Sequence, residues 1–135
     1  MKHLIVLVGL PGSGKSTACE MYPDYLRISQ DEQGKEGHLK IYTAALERGD
    51  DIIVDRCNFN VQQRQRYIKL AKEKNYKTLI IWLQVSAEDC KKRIRNRDVH
   101  PNLDKNSNVI DKVVDMFNNM FEPPERWEAD EVLYL

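Results

Sequence analysis

At 135 residues, 41% of them hydrophobic and 31% charged, with 6 Gly and 5 Pro, the chain has the composition of a folded domain, which excludes the disordered and fibrous classes. Its length corresponds to a single domain spanning 1–135, with no room for a second catalytic module. Basic and acidic residues balance at 21 each, so contact with nucleic acid has to come from a local basic patch rather than from bulk charge.

Short β-branched runs alternate with stretches of helical period, the pattern of βαβ units around a parallel sheet, so the fold class is α/β. His3 to Val8 reads as the first strand. Following Lys2, it has the outline of a signal-peptide start, but no small-residue cleavage site comes after it. A helical segment comes next, then a short second strand from Leu26 to Ser29, a helix from Leu39 to Arg48 stopped at Gly49, and a third strand from Asp51 to Asp55. Asn60 can cap a helix from Val61 to Lys74 with Tyr67, Leu70 and Ala71 on one face. Lys77 to Val85 forms the fourth strand. Ser86 with Asp89 suits the start of a helix running from Ala87 to near Arg97, broken by Val99-His100-Pro101-Asn102. Asp98 to Asn108 is expected to be a mobile loop, Ile110 to Phe121 a helix ended by Pro123-Pro124, and Glu131 to Leu135 the last strand. No apolar run approaches the ~18 residues of a membrane span. Cys19, Cys57 and Cys90 form no Cys-x-x-Cys pair, so neither a disulfide framework nor a zinc site is expected, and a reducing cytoplasm fits.

Gly9-Leu10-Pro11-Gly12-Ser13-Gly14-Lys15-Ser16 matches G-x-x-x-x-G-K-[ST] directly after an apolar strand and before a helical segment, the setting a phosphate-binding loop needs. Its glycines let successive backbone N–H groups point into one concavity, and the helix adds its positive N-terminal end. Gly12, Ser13, Gly14, Lys15, Ser16 and Thr17 are thus the candidate nucleotide-binding residues, with Lys15 reaching the β- and γ-phosphates and Ser16 ligating Mg²⁺.

Ligands of open α/β sheets sit beyond the carboxyl ends of the strands. There the second strand runs into Ser29-Gln30-Asp31, the third into Asp55-Arg56-Cys57-Asn58, and the fourth into Gln84 and Ser86. Asp31 is placed to accept the proton of an attacking hydroxyl; the alternatives are a helix cap and a solvated loop acid. Asp55 ends an apolar strand as a Walker-B acid does, holding Mg²⁺ through water or tying down Ser16, or it is a turn acid. Lys91 to Arg97 holds five basic residues in seven, with Arg93 and Arg97 on one helix face. That face either closes over a triphosphate as a lid or is a solvated helix end. His38 and His100 read as surface residues and Trp82 as core. Trp127 packs in the core or near a base, with core favoured. Phe59 with Arg64 and Arg66 could offer a stacking surface to single-stranded nucleic acid. Glu122, Glu125, Glu128, Asp130 and Glu131 read as a solvated acidic face.

Together these residues resemble the 5′-polynucleotide kinases of the P-loop phosphotransferase group, over nearly the whole chain. The likeness rests on Gly9 to Thr17, Ser29-Gln30-Asp31, Asp55-Arg56-Cys57-Asn58, Arg64 to Tyr67, the basic lid and Phe121-Glu122-Pro123-Pro124. Asp55 to Asn58 with Gln63-Arg64 is also similar to the kinase module of fungal tRNA ligases. The resemblance implies a three-layer α/β/α sandwich around a parallel five-stranded sheet of order 2-3-1-4-5, with a short arginine-bearing lid. It implies ATP and Mg²⁺, and 5′-hydroxyl ends of RNA or DNA as acceptor. Lys15, Asp31 as base, Arg97 and Arg93 would be catalytic, with Asp55 supporting, and Asp31, Asn58, Arg64 and Lys35 would face the acceptor. The phage enzyme of this family has an acceptor-contacting arginine three residues after the base, where this chain has Gly34; Lys35 or His38 is the replacement at hand. Two other functions stay open: a small-metabolite kinase of the gluconate or shikimate type, and a non-catalytic nucleotide-binding switch. The length argues against an AAA+ motor.

Overall fold

The computed structural model describes residues 2–96 and 107–135. Five parallel strands, β1 (His3–Val8), β2 (Leu26–Ile28), β3 (Ile52–Val54), β4 (Lys77–Trp82) and β5 (Glu131–Tyr134), form one sheet in the expected order β2-β3-β1-β4-β5. β1 is the central strand, with Leu4 opposite Ile52 of β3, and His3 to Val8 paired along the whole of β4. Both its faces are covered, which is why it reads as a continuous apolar run rather than an alternating one. Leu4, Val6 and Val8 point to a core shared with Tyr42 of α3 (Lys35–Arg48) and with Tyr67, Ile68 and Ala71 of α4 (Val61–Glu73). Ile5 and Leu7 point the other way, to Ala18 and Cys19 of α1 (Lys15–Glu20). A third cluster of Leu10, Cys90, Ile94, Ile110 and Val114 fastens α5 (Ala87–Arg95) and α6 (Ser107–Met120) to the loop after β1.

The helix boundaries follow local chemistry. The Asn60 side chain accepts from the Gln63 N–H at 2.8 Å and Ser86 Oγ from the Asp89 N–H at 3.1 Å, so both expected starts are present. Gly49 ends α3 in the left-handed region at φ 78°. Two starts differ from expectation. A one-turn helix, α2 (Gln30–Gln33), follows β2, and Gly34 at φ 80° turns the chain so that α3 begins four residues ahead of Leu39. α6 begins at Ser107, ahead of Ile110 and inside the span expected to be loop; 97–106, with Arg97 and His100, lies outside the described residues.

Several surface and core assignments are corrected. The inward face of α4 is Arg64, Tyr67, Ile68 and Ala71, whereas Leu70 is 36% exposed. Trp127 is 59% exposed rather than core, and His38, expected on the surface, is 1% exposed. Trp82 is half-buried against Phe121 and Tyr134. The acidic run is no solvated face throughout: Glu128 is fully buried, Glu122 Oε1 accepts from the Val61 N–H, and Asp130 accepts from the Thr78 N–H at 2.8 Å. Among the described residues no helix is long and apolar enough to cross a membrane.

Candidate active site

The loop between β1 and α1 folds as its glycines require. Gly12 has φ 84°, and a Cβ there would stand 2.8 Å from the carbonyl oxygen of Cys90, so any side chain would be both strained and in collision with backbone. Gly14 at φ 97° caps α1. Lys15 Nζ donates to the Gly9 and Leu10 carbonyls at 3.1 and 2.8 Å and so lies across the loop's own concavity. Ser13 is buried, while Ser16 and Thr17 are exposed in the first turn of α1. Arg93 Nη1 donates to the Ser13 carbonyl at 3.3 Å, so the basic face of α5 already touches the loop.

A cleft of about 800 Å³ opens at the carboxyl ends of β1, β2 and β3 and is lined by the loop, Lys15, Ser16, Asp31, Asp55 and Arg56, among others. Asp31 is exposed on α2. It is not that helix's cap, which is Ser29, so the capping alternative is set aside. Asp55 is engaged by Arg27, whose Nε and Nη2 donate to Oδ2 at 2.8 and 2.5 Å, while the same Nη2 reaches Ser16 Oγ at 3.5 Å. Both carboxylate contacts fall on Oδ2, so Oδ1 is not consumed by Arg27. The exposed Ser16 hydroxyl and the Asp55 carboxylate oxygen left over are hard oxygen donors, of the kind that could hold Mg²⁺. Arg27 lines the cleft and was missed by sequence reasoning; its signal is a charge in the middle of a three-residue strand of which only Ile28 is buried. Burial works against its charge, but the hydrogen bond to Asp55 and the charge of that carboxylate outweigh burial and raise its pKa. The neighbouring Cys19 thiol is pushed up to about 12, by burial first and then by Asp55.

Two expected acceptor contacts are corrected. Arg64 is 0% exposed; its Nε and Nη2 donate to Glu128 Oε1 and Oε2 at 2.7 and 3.2 Å, and its Nη1 to the Asn58 carbonyl at 2.9 Å, so it faces the interior and not the cleft. Lys35 is exposed at the start of α3 and does not line the cleft. Asn58 borders the cleft, but its Nδ2 is turned inward to the Leu7 and Arg56 carbonyls at 2.7 and 3.2 Å. Phe59 lines the cleft and packs edge-on against Phe117, with centroids 5.4 Å apart, so the stacking surface imagined with Arg64 is not assembled. Arg56 was also missed: its Nη1 donates to Tyr67 Oη at 2.7 Å. Burial pushes the Cys57 thiol up, Lys15 pulls it back, and Asp31 and Arg56 act on it with opposite signs.

Residues 33–124 match the family model described as AAA domain (AAA_33). The transcription factor bHLH140 of Arabidopsis thaliana is 34% identical over 108 residues, 72% of this chain and 12% of its own length. The putative bifunctional polynucleotide phosphatase/kinase of Acanthamoeba polyphaga mimivirus is 32% identical over 125 residues, 89% of this chain and 28% of its own. The chain therefore spans between about an eighth and a quarter of these relatives. Among solved structures, a sugar kinase from Janibacter sp. HTCC2649 superposes with a TM-score of 0.71 at 17% identity, covering 100% of this chain and 85% of that one. Chaetomium thermophilum Kti12, in complex with ADP-AlF3, gives 0.68 at 18% identity, covering 98% and 88%. With its parallel sheet, glycine loop and family match over most of its length, the chain belongs to the AAA-domain family (AAA_33) as a P-loop kinase domain.

Proposed function

We propose that the chain transfers the γ-phosphoryl group of ATP to the 5′-hydroxyl end of a polynucleotide, RNA or DNA. The observation that carries this reading is a carboxylate, Asp31, facing the same cleft as the phosphate loop and Lys15. Lys15 exchanges the Gly9 and Leu10 carbonyls for the β- and γ-phosphates, and the loop N–H groups hold the remaining oxygens. Ser16, with Asp55 acting through water, would hold Mg²⁺, which when bound would supply positive charge against that of the phosphates. Asp31 takes the proton of the 5′-hydroxyl as its oxygen bonds to the γ-phosphorus and the bond to the β–γ bridging oxygen breaks, releasing ADP. Arg93 neutralises the transferred group from α5, a role that Arg97, outside the described residues, is proposed to share. The polynucleotide acceptor is supported by the similarity to the mimivirus polynucleotide phosphatase/kinase. The three free thiols suit a reducing cytoplasm.

The test is transfer of label from γ-labelled ATP, with Mg²⁺, to matched RNA and DNA oligonucleotides carrying 5′-hydroxyl or 5′-phosphate ends, beside a panel of sugars and small hydroxy acids. Label is expected only on 5′-hydroxyl oligonucleotides. Asp31→Asn should cut it by about 10² to 10⁴-fold while leaving ATP binding in place. Undiminished transfer by that variant would remove Asp31 as base. Label on a sugar instead would favour the small-metabolite reading, to which the Janibacter fold neighbour lends itself; ATP binding with no transfer would favour a nucleotide switch.

A further inference from the structure

Asp31 sits on an element that cannot hold itself. α2 is four residues long, buries none of them and has no side-chain cap bond; a single turn is far below the length at which a helix is stable in water. Its orientation, and with it that of Asp31, has to be imposed from outside. The Gln33 side chain turns back on the preceding strand, its Nε2 donating to the Arg27 carbonyl at 3.2 Å and its Oε1 accepting from the Ser29 N–H at 3.0 Å. Arg27 Nη1 donates to Glu32 Oε1 at 3.1 Å. Arg27 thus holds both residues that follow Asp31, one through its side chain and one through its backbone.

The same guanidinium is anchored on the nucleotide side of the cleft. Leu26 and Ile28 pack into the core shared with α3 and α4, so by the alternation of a strand Arg27 faces the other side of the sheet, the side that α1 covers. It pairs in register with Ile53, and Asp55, two residues further on, comes up on the same face. Arg27 Nε and Nη2 donate to Asp55 Oδ2, and Nη2 also reaches Ser16 Oγ at 3.5 Å. The Asp55 side chain is 7% exposed and that of Glu32 57%, so the Asp55 end is the fixed one and the Glu32 end follows it. Each of the three guanidinium nitrogens has a protein partner, which makes Arg27 a bridge rather than a binding group. Its planar fork meets two carboxylates in different directions at once, as the point charge of an ammonium does not.

Resting on the reading of Asp31 as base, we propose that Arg27 is a positioning residue for phosphoryl transfer: it ties α2, and with it Asp31, to Asp55 and Ser16, so that the base keeps its register with the nucleotide side of the cleft. Glu32 is the point at which α2 takes hold of it. An exposed ion pair of this kind adds little to stability. Misplacing a reacting group by about 1 Å costs about 10²-fold in rate, so the same tie weighs far more in catalysis.

The test reads α2 directly and then reads transfer. Glu32→Ala cuts the tie at α2 and leaves Arg27 on Asp55; Arg27→Lys keeps a positive charge for Asp55 but loses the fork. The Gln33 and Gly34 amides donate to the Ser29 and Gln30 carbonyls at 3.0 and 2.8 Å. In native-state hydrogen exchange they should exchange about three- to tenfold faster in either variant, with the amides of β1 and β4 unchanged. At saturating 5′-hydroxyl oligonucleotide, kcat should fall by about 10- to 10²-fold with the KM for ATP unchanged. The double variant should lose no more than the worse single one, because both substitutions remove one tie. General loosening of the core would move the KM for ATP and the sheet amides as well. α2 amides that exchange at the wild-type rate, a kcat retained in Glu32→Ala, or losses that multiply in the double variant would overturn the assignment. Failure of the kinase reading is separately visible, as absence of transfer by the wild type, while the exchange rates still report on Arg27.

Discussion

The Arg64–Glu128 pair offers a stability prediction that follows from geometry. Both side chains are 0% exposed, they meet in a two-point contact at 2.7 and 3.2 Å, and the remaining bonds are local: Arg64 Nη1 to the Asn58 carbonyl and the Glu125 N–H to Glu128 Oε2. Replacing Glu128 with Gln keeps the shape but leaves a guanidinium charge in the interior with no counter-charge. Breaking a buried pair from one side costs about 3 to 5 kcal/mol, against a total stability of about 5 to 15 kcal/mol for a domain of this size. Equilibrium urea unfolding of Glu128→Gln should therefore show a loss of about 3 to 5 kcal/mol with an unchanged m-value. The double variant Arg64→Met, Glu128→Leu should recover most of it, because no charge is left behind. A loss below about 1 kcal/mol in the single variant would refute the argument that the interior cannot hold this charge alone. Arg64 also holds the Asn58 carbonyl in the loop after β3, a contact that Glu128→Gln keeps and the double variant gives up.

Other perturbations test other parts of the molecule. Gly12→Ala should abolish ATP binding, measured by calorimetry, and cost more than about 1 to 2 kcal/mol in urea, since a left-handed alanine is strained and its Cβ collides with the Cys90 carbonyl. With its thiol pushed up to about 12, Cys19 keeps about one part in 10⁴ as thiolate at pH 8. Cys57 and Cys90 are also raised by burial, so Ellman's reagent should label the native protein slowly and the urea-unfolded protein at once; rapid native labelling of Cys19 would contradict its environment. Asp130 is held below the usual carboxylate range by the Thr78 N–H and, against some burial, by its hydroxyl. A depressed folded value means stability present above the unfolded value and lost as pH falls through the folded one. Asp130→Asn should thus be less stable than wild type at pH 7, with the gap closing as pH falls from the unfolded carboxylate value of about 3.9 through the lower folded one.

What could be read from the sequence was what is local or periodic. The glycine loop, the Asn60 and Ser86 caps and the apolar β1 are each specified by residues within a few positions of one another. The residues that were misplaced or missed depend on partners far along the chain. Arg64 reads as an acceptor-facing arginine because its counter-charge lies 64 residues later, in an acidic run expected to be solvated. His38 looked polar and exposed because Tyr67, 29 residues on, is what makes its burial tolerable. Arg27 and Asp55 meet only because β2 and β3 are neighbours, a fact of sheet order and not of spacing.

The central position of β1 has a consequence for how the chain is made. Its hydrogen-bonding edges both point at strands synthesised later: Leu4 waits for Ile52 on one side and His3 for Lys77 on the other. At roughly 5 to 20 residues per second, the ribosome leaves this six-residue apolar strand with neither neighbour for about 2 to 10 seconds, and with only one for several seconds more. An unpaired apolar edge of that kind is a template for pairing with another chain. The same strand that organises the finished sheet is thus the segment on the nascent chain most in need of shelter, and a chaperone that binds short extended apolar peptides would find its target in the first ten residues.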